Sequence, residues 1–148
     1  MANFTKFDMR MFEKAREVAE TSDFSPFKLG CVITYKHHII GSGSNANKTN
    51  PTQKFYNKRY RHFTKLNGMP SVHSVHAEIS ALNSIPYPVA EQIDWKQVHV
   101  YIYRISRGRK KGCGMAAPCP ACRNALIDKG IRHFYYTGDS SFIYERVN

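Results

Sequence analysis

The sequence predicts an α/β fold, a three-layer α/β/α sandwich with one mixed central sheet of about five strands. Short β-branched segments alternate along the chain with amphipathic or alanine-rich segments, which is the pattern of strands that alternate with helices. A length of 148 residues fits one domain, which we expect to span residues 1–148. No internal repeat or long low-complexity tract suggests a second unit.

The first predicted elements are a helix and a hairpin. Residues 7–20 (FDMRMFEKAREVAE) repeat apolar side chains at helical spacing with charges on the other side, so we expect an amphipathic helix that covers the sheet. Residues 29–35 (LGCVITY) and 37–41 (HHIIG) are short and rich in β-branched residues, which predicts the two strands of a hairpin. The polar segment 45–70 is rich in Asn, Gly and Pro and predicts a functional loop rather than regular structure.

A helix, a strand and a loop are predicted next. Residues 77–85 (AEISALNSI) favour a helix that ends before Pro86, because proline cannot continue a helix interior. Residues 98–105 (VHVYIYRI) have the alternation and residue types of a central strand. We expect residues 106–117 to form a basic loop.

The C-terminal part predicts a helix and one or two further strands. Residues 119–129 favour a helix that Pro120 opens, at a position where the missing amide proton does no harm, and that Gly130 closes. A strand over 131–136 completes the core. Residues 142–147 favour a hairpin edge strand, with a terminal helix as the alternative.

The positive charge of the chain is concentrated in two stretches. Lys and Arg number 22 against 11 Asp and Glu, a formal net charge of +11, and no acidic residue occurs in 24–77 or in 95–127. Such one-sided fields attract phosphate-bearing partners. Residues 54–65 (KFYNKRYRHFTK) interleave aromatic side chains with cations, which suits the stacking of bases; the alternative is a solvated segment whose aromatics pack inward.

The N-terminal residues and the cysteines indicate the compartment. Residues 1–12 mix Lys6, Asp8 and Arg10 among apolar side chains and lack the uninterrupted apolar core of a signal peptide or membrane span. We therefore expect a soluble, cytoplasmic protein without membrane partners. In a reducing cytosol, a C-x-x-C pair favours a metal or redox site over a disulfide.

Two fragments, HAE at 76–78 and PCPAC at 118–122, predict a metal site. Cys119 and Cys122 are three apart on a helix and share a face, so two thiolates can reach one zinc ion at about 2.3 Å. Free amides and the positive dipole end at the first turn stabilise those thiolates. His76 would supply a third ligand, and three ligands leave the fourth tetrahedral position for water, as in catalytic zinc sites.

Glu78 predicts where that metal lies. Side chains two residues apart on a helix point about 200° apart, so His76 and Glu78 can serve one metal only at the start of a helix. Zinc lowers the pKa of bound water to about 7, and Glu78 would then move protons as a general acid and base. The alternative is a structural zinc, with Cys113 or His73 as fourth ligand, in a zinc-stabilised nucleic-acid-binding module; it leaves Glu78 without a role.

The combination of HAE and PCPAC resembles the cytidine and deoxycytidylate deaminase superfamily, over about residues 29–136. The resemblance implies hydrolytic removal of an amino group from a nucleobase, zinc as cofactor and a homo-oligomer. It implies that His76, Cys119 and Cys122 bind zinc, that Glu78 carries the proton, and that the substrate contacts are Asn45, Ala77, Lys48 and Pro118. The insertion 106–117 departs from the family, which passes directly from this strand into the PC motif.

The resemblance also ranks the candidate substrates. The pattern is most similar to the deoxycytidylate branch, which implies a free cytosine nucleotide, dCMP. Cytosine in single-stranded DNA or RNA is an alternative that would use both basic stretches and bind with strong salt dependence. Adenosine in transfer RNA is a third, because HAEISAL is similar to bacterial tRNA adenosine deaminases, although Ala121 stands where they usually carry Met.

Overall fold

The computed structural model describes residues 3–24, 26–61, 73–106 and 113–148. Within these residues, one mixed sheet contains six strands: β1 (Lys28–Tyr35), β2 (His38–Ser44), β3 (Val98–Ile105), β4 (Cys113–Gly114), β5 (His133–Thr137) and β6 (Phe142–Arg146). The strand order is β2-β1-β3-β5-β6, and β4 pairs with β3 beyond the end of β5. β3 and β5 are parallel, whereas the other pairs are antiparallel.

The helices of the described residues cover both faces of the sheet. They are α1 (Lys6–Glu20), α2 (Pro51–Tyr60), α3 (Ala77–Ser84), α4 (Tyr87–Gln92) and α5 (Pro120–Lys129), with a 3₁₀ turn at Trp95–Gln97. On one face α1 packs against Tyr101 and Tyr103 of β3, and on the other α3 and α5 pack against Val100 and Ile102. Side chains alternate between the faces of a strand, so β3 contributes to both cores.

The predicted fold class is confirmed, as are the hairpin of β1 and β2, the central position of β3 and the helices at α1, α3 and α5. Gly130 ends α5 with a φ of 110°, which is the left-handed conformation that favours glycine. Of the predicted residues 142–147, Phe142–Arg146 form a hairpin edge strand, β6, rather than a terminal helix. None of the described helices has the length and apolar character to cross a membrane.

The prediction of an irregular loop over 45–70 is wrong at Pro51–Tyr60, where the chain forms α2. Asn50 begins this helix by accepting a hydrogen bond from the Gln53 amide at 3.1 Å, and Pro51 takes the first-turn position that tolerates a missing amide. The polar composition was misleading because α2 buries Gln53 and Asn57 rather than a run of apolar side chains. Residues 62–70 of the predicted loop lie outside the described residues.

Two other short elements were not predicted. Pro86 ends α3 as expected and also begins α4. The end of the predicted 106–117 loop returns to the sheet as β4, so that Cys113 and Gly114 pair with Ile105 and Arg104. The cationic segment RGRKK, at 107–111, lies outside the described residues.

Candidate functional site

The predicted metal ligands lie at the beginnings of two neighbouring helices. His76 precedes the first residue of α3, Cys119 precedes that of α5, and Cys122 lies in the first turn of α5. Both helices cover the same face of the sheet, and their N-termini converge. The fold therefore brings together residues that are more than forty positions apart in the sequence.

The three side chains form a compact donor set. His76 Nδ1 lies 3.2 Å from Cys122 Sγ and 3.5 Å from Cys119 Sγ, and all three atoms lie within 4.8 Å of one another. One imidazole nitrogen and two sulfurs are a ligand set that zinc prefers. In the described part of the chain no further His, Cys, Asp or Glu joins this group. The residues fit a zinc ion with one open position.

The electrostatics of the cluster favour a cation. A hydrogen bond from the Cys122 thiol lowers the pKa of Cys119 to about 4, despite burial and with help from His76. Burial raises the pKa of the Cys122 thiol. Because zinc binds cysteine as the thiolate, a bound cation would favour release of the Cys122 proton.

Glu78 lies in the first turn of α3 and is 4% exposed, so it shares the helix start with His76 as the two-residue spacing requires. Burial raises the pKa of its carboxyl group, and His76 beside it opposes the rise. Glu78, His76 and Cys119 line the same cavity. The geometry thus provides a carboxyl group next to the donor set.

The cavity beside Glu78 has a volume of about 190 Å³. Of the predicted substrate contacts, Asn45 and Ala77 line it, whereas Lys48 and Pro118 are not among the described residues that line it. Lys48 is exposed on the segment before α2. The walls also contain residues that the sequence analysis did not select, namely Phe27, Leu29, Arg104, Met115, Ala116 and Ala117.

Asn45 is buried, and its amide connects the segments around the cavity. Its Oδ1 accepts hydrogen bonds from the Ser22 hydroxyl at 2.6 Å and from the Leu29 amide at 2.9 Å. Its Nδ2 donates to the Phe27 carbonyl at 3.0 Å. Because an amide nitrogen carries two protons, one donor is left for a ligand.

Gln53 of α2 is a residue that the sequence analysis missed. Its side chain is fully buried, and its Oε1 accepts a hydrogen bond from the backbone amide of His76 at 3.0 Å. This bond fixes the start of α3, where His76 has no side-chain cap of its own. Because α2 was expected to be irregular, the sequence offered no signal for this contact.

The alternative fourth ligands lie outside the donor set. The Cys113 thiol donates to the Gly138 carbonyl at 3.3 Å. His73 Nδ1 lies 3.2 Å from Asn57 Nδ2. Neither joins the His76 group, so the described geometry gives no support to a four-ligand structural zinc.

The aromatic side chains of residues 54–65 that lie on α2 include one that packs inward and one that is exposed. Tyr56 packs inward and donates to Asp128 of α5 at 3.0 Å, whereas Phe55 is 56% exposed with the Arg59 guanidinium 6.0 Å from its ring centre. Phe63 and Lys65 lie outside the described residues.

Comparisons with known proteins agree with this geometry. Residues 5–137 match the model of the family described as "Cytidine and deoxycytidylate deaminase zinc-binding region". The fold is similar to that of a dCMP deaminase from the cyanophage S-TIM5, with a TM-score of 0.60 at 16% identity, over 93% of this chain and 87% of that one. It is also similar to a cytidine deaminase from Burkholderia pseudomallei, with a TM-score of 0.61 at 18% identity, over 97% and 93% of the chains. No curated protein sequence matches the chain significantly.

The chain belongs to the cytidine and deoxycytidylate deaminase family, because the family model covers most of its length. It is therefore a zinc-dependent deaminase, a hydrolase rather than a zinc-stabilised binding module.

Proposed function

We propose that the chain hydrolyses cytosine to uracil in a free nucleotide, with dCMP as the substrate. The observation that carries this proposal is the buried Glu78 carboxyl group beside the His76, Cys119 and Cys122 donor set at one small cavity. The cyanophage relative is known in complex with dCMP and dUMP, and its fold is shared. The positive charge of the chain favours a substrate with a phosphate group over a neutral nucleoside.

In this proposal His76, Cys119 and Cys122 hold the zinc ion. When bound, zinc acts as a Lewis acid that makes a water nucleophilic at neutral pH. The Glu78 carboxylate accepts a proton from the attacking water and delivers it to the ring nitrogen next to the reacting carbon. As a carbon–oxygen bond forms and the carbon–nitrogen bond breaks, Glu78 transfers the second proton to the departing amine, which leaves as ammonia.

The remaining predicted contacts orient the substrate. Asn45 offers its free amide proton to the substrate, and Ala77 presents a small buried surface against which a flat base can pack. Lys48 and Pro118 would contact a part of the substrate outside the cavity. Burial of Glu78 keeps its carboxyl group away from bulk water, so that it exchanges protons with the substrate.

A polynucleotide is the second candidate substrate, favoured by the exposed Phe55 and the cations Lys54, Lys58 and Arg59 on α2. Burial lowers the pKa of His73, and the nearby positive charges of Lys54 and Lys58 lower it further. The two lysines therefore lie near His73, which is three residues from the metal ligand His76 in the sequence.

The test is ammonia release from dCMP, CMP, deoxycytidine, cytidine, single-stranded DNA and transfer RNA at two salt concentrations. We expect the highest kcat/KM on dCMP, and a Glu78→Gln variant serves as the inactive control. A polynucleotide that is deaminated faster than dCMP, with activity that falls steeply as salt rises, would replace the proposed substrate.

A further inference from the structure

One arginine in the wall of the candidate active site has no acidic partner among the described residues. Arg104 lies at the C-terminal end of β3 and is the one Lys or Arg in the described wall of the cavity that contains Glu78. Of the described carboxylates, none forms an ion pair with its guanidinium within 4.0 Å. A cation in a cavity without a protein counter-ion is available to an anionic ligand.

The side chain of Arg104 is held in place on two sides. Its Cζ lies 4.7 Å from the centre of the Phe27 ring, in a cation–π contact. On β4, Gly114 pairs with Arg104, and a Cβ atom at Gly114 would lie 3.2 Å from Arg104 Cδ. The glycine thus leaves room for the arginine stem against the β4 backbone. These contacts orient the guanidinium without using its N–H groups.

A second cavity of about 260 Å³ adjoins the first and shares Phe27, Arg104 and Met115 with it; its described lining also contains one acidic residue, Asp139. A ligand that places its base beside Glu78 can therefore direct its other end past Arg104 into the second cavity. The planar guanidinium fork suits phosphate because it can donate two parallel hydrogen bonds.

We propose that Arg104 binds the phosphate group of the substrate and makes the enzyme selective for a nucleoside monophosphate over the corresponding nucleoside. This inference rests on the proposed function and deepens it by naming the residue that recognises the phosphate. Arg104 is followed by the insertion that departs from the family pattern, and the described end of that insertion, β4, supports the arginine. β4 thereby acquires a role in substrate selection.

The experiment compares kcat/KM on dCMP and deoxycytidine for the zinc-loaded wild type and four variants. Arg104→Gln should lower kcat/KM on dCMP by roughly 10- to 100-fold, mainly through KM, and change the value on deoxycytidine by less than about threefold. Arg104→Lys should keep part of the preference because it keeps the charge but loses the fork. Gly114→Ala should raise KM for dCMP alone by crowding the arginine stem. Arg146→Gln removes an exposed charge from the end of β6 and should leave both values unchanged.

Folding of each variant is checked through its zinc content and circular dichroism. Equal losses on the two substrates in Arg104→Gln, or no loss on dCMP, would overturn the role of Arg104 while leaving the deaminase proposal intact. A wild type that deaminates deoxycytidine as well as dCMP would also overturn it. A zinc-loaded wild type that deaminates neither compound would instead contradict the proposed function and remove the inference with it.

Discussion

Two histidine-containing clusters lie near opposite ends of β3, and they differ in where their polar atoms point. At the N-terminal end, His99 Nδ1 lies 2.9 Å from the Tyr135 hydroxyl, and Tyr101 donates to Asp8 at 2.6 Å. The Asp8 carboxylate also accepts the Thr5 amide at 2.9 Å. The polar groups of this cluster are therefore paired with one another.

At the C-terminal end of β3, the His76, Cys119 and Cys122 donors converge on one point beside Glu78. The cavity there measures about 190 Å³, whereas the cavity at the other cluster measures about 430 Å³. The larger cavity is thus not the one that the chemistry indicates. Neither the number of titratable side chains nor the cavity volume identifies the site; the convergence of three metal-binding donor atoms beside a buried carboxyl group does so.

The largest expected effect is the loss of a metal ligand. Cys122→Ser should release zinc and reduce dCMP deamination by about 100-fold or more, because two donors hold zinc weakly. Zinc per chain and ammonia release measure this effect. Cys113→Ser is the matched control and should keep both, because its thiol is bonded to Gly138. If Cys113→Ser releases the zinc instead, the two cysteines have been assigned the wrong roles.

At the other cluster, Tyr101→Phe should reduce stability without affecting catalysis. The change removes the buried hydrogen bond to Asp8, and we expect the free energy of unfolding to fall by about 1–3 kcal/mol. Urea denaturation measures the loss. The kcat/KM on dCMP should stay within about twofold of wild type, and a larger change would show that this end of β3 takes part in the reaction.

The same cluster predicts a pH dependence. Burial and the nearby His133 lower the pKa of His99 to about 4, against an ordinary value of 6.5. The neutral His99 thus contributes stability that is fully present above pH 6.5 and is lost as the pH falls towards 4. Across this range we expect the wild type to lose about 1–2 kcal/mol more than His99→Gln, allowing for solvent screening. If the free energy of unfolding changes equally with pH in the wild type and in His99→Gln, the prediction of a neutral His99 is contradicted.

The smallest effect is expected at the Arg123–Glu145 pair, which joins α5 to β6. Its hydrogen bonds of 2.8 and 2.9 Å lie between side chains that are 34% and 36% exposed. Glu145→Gln should therefore lower the free energy of unfolding by less than about 1 kcal/mol at pH 7. The hydrogen bond with Arg123 lowers the pKa of Glu145, so this contribution is present above the ordinary carboxyl pKa and is lost as the pH falls through the lowered value. If Glu145→Gln still lowers the free energy of unfolding at acidic pH, the loss arises from packing rather than from the ion pair with Arg123.

The sequence was sufficient to predict the elements whose periodicity reflects burial. The apolar repeat of α1, the alternation in β3 and the Gly130 stop of α5 each reflect a local rule, and each is confirmed. The placement of His76 at a helix start followed from the same kind of argument. A spacing of two residues allows His76 and Glu78 to meet only where the helix begins, and the structure has them there.

The features that the sequence did not predict depend on contacts between distant segments of the chain. Gln53 and Asn57 are fully buried polar residues, so α2 lacks the apolar pattern of a packed helix. In the sequence Arg104 is one of many cations. Its contact with Phe27 and its pairing with Gly114 of β4 are evident only in the fold. Lys48 was expected as a substrate contact, but it is exposed on the segment before α2 and is not among the described residues that line the cavity. Such placements depend on tertiary pairing, which local spacing does not encode.

The most direct test of the central claim is a paired measurement on Glu78→Gln. The variant should retain the zinc content of the wild type, because Glu78 is not among the three donors. Its rate of ammonia release from dCMP should fall by about 10²- to 10⁴-fold, the usual contribution of a general acid and base. A variant that keeps its deaminase activity, or one that loses its zinc together with its activity, would contradict the role of Glu78 in proton transfer.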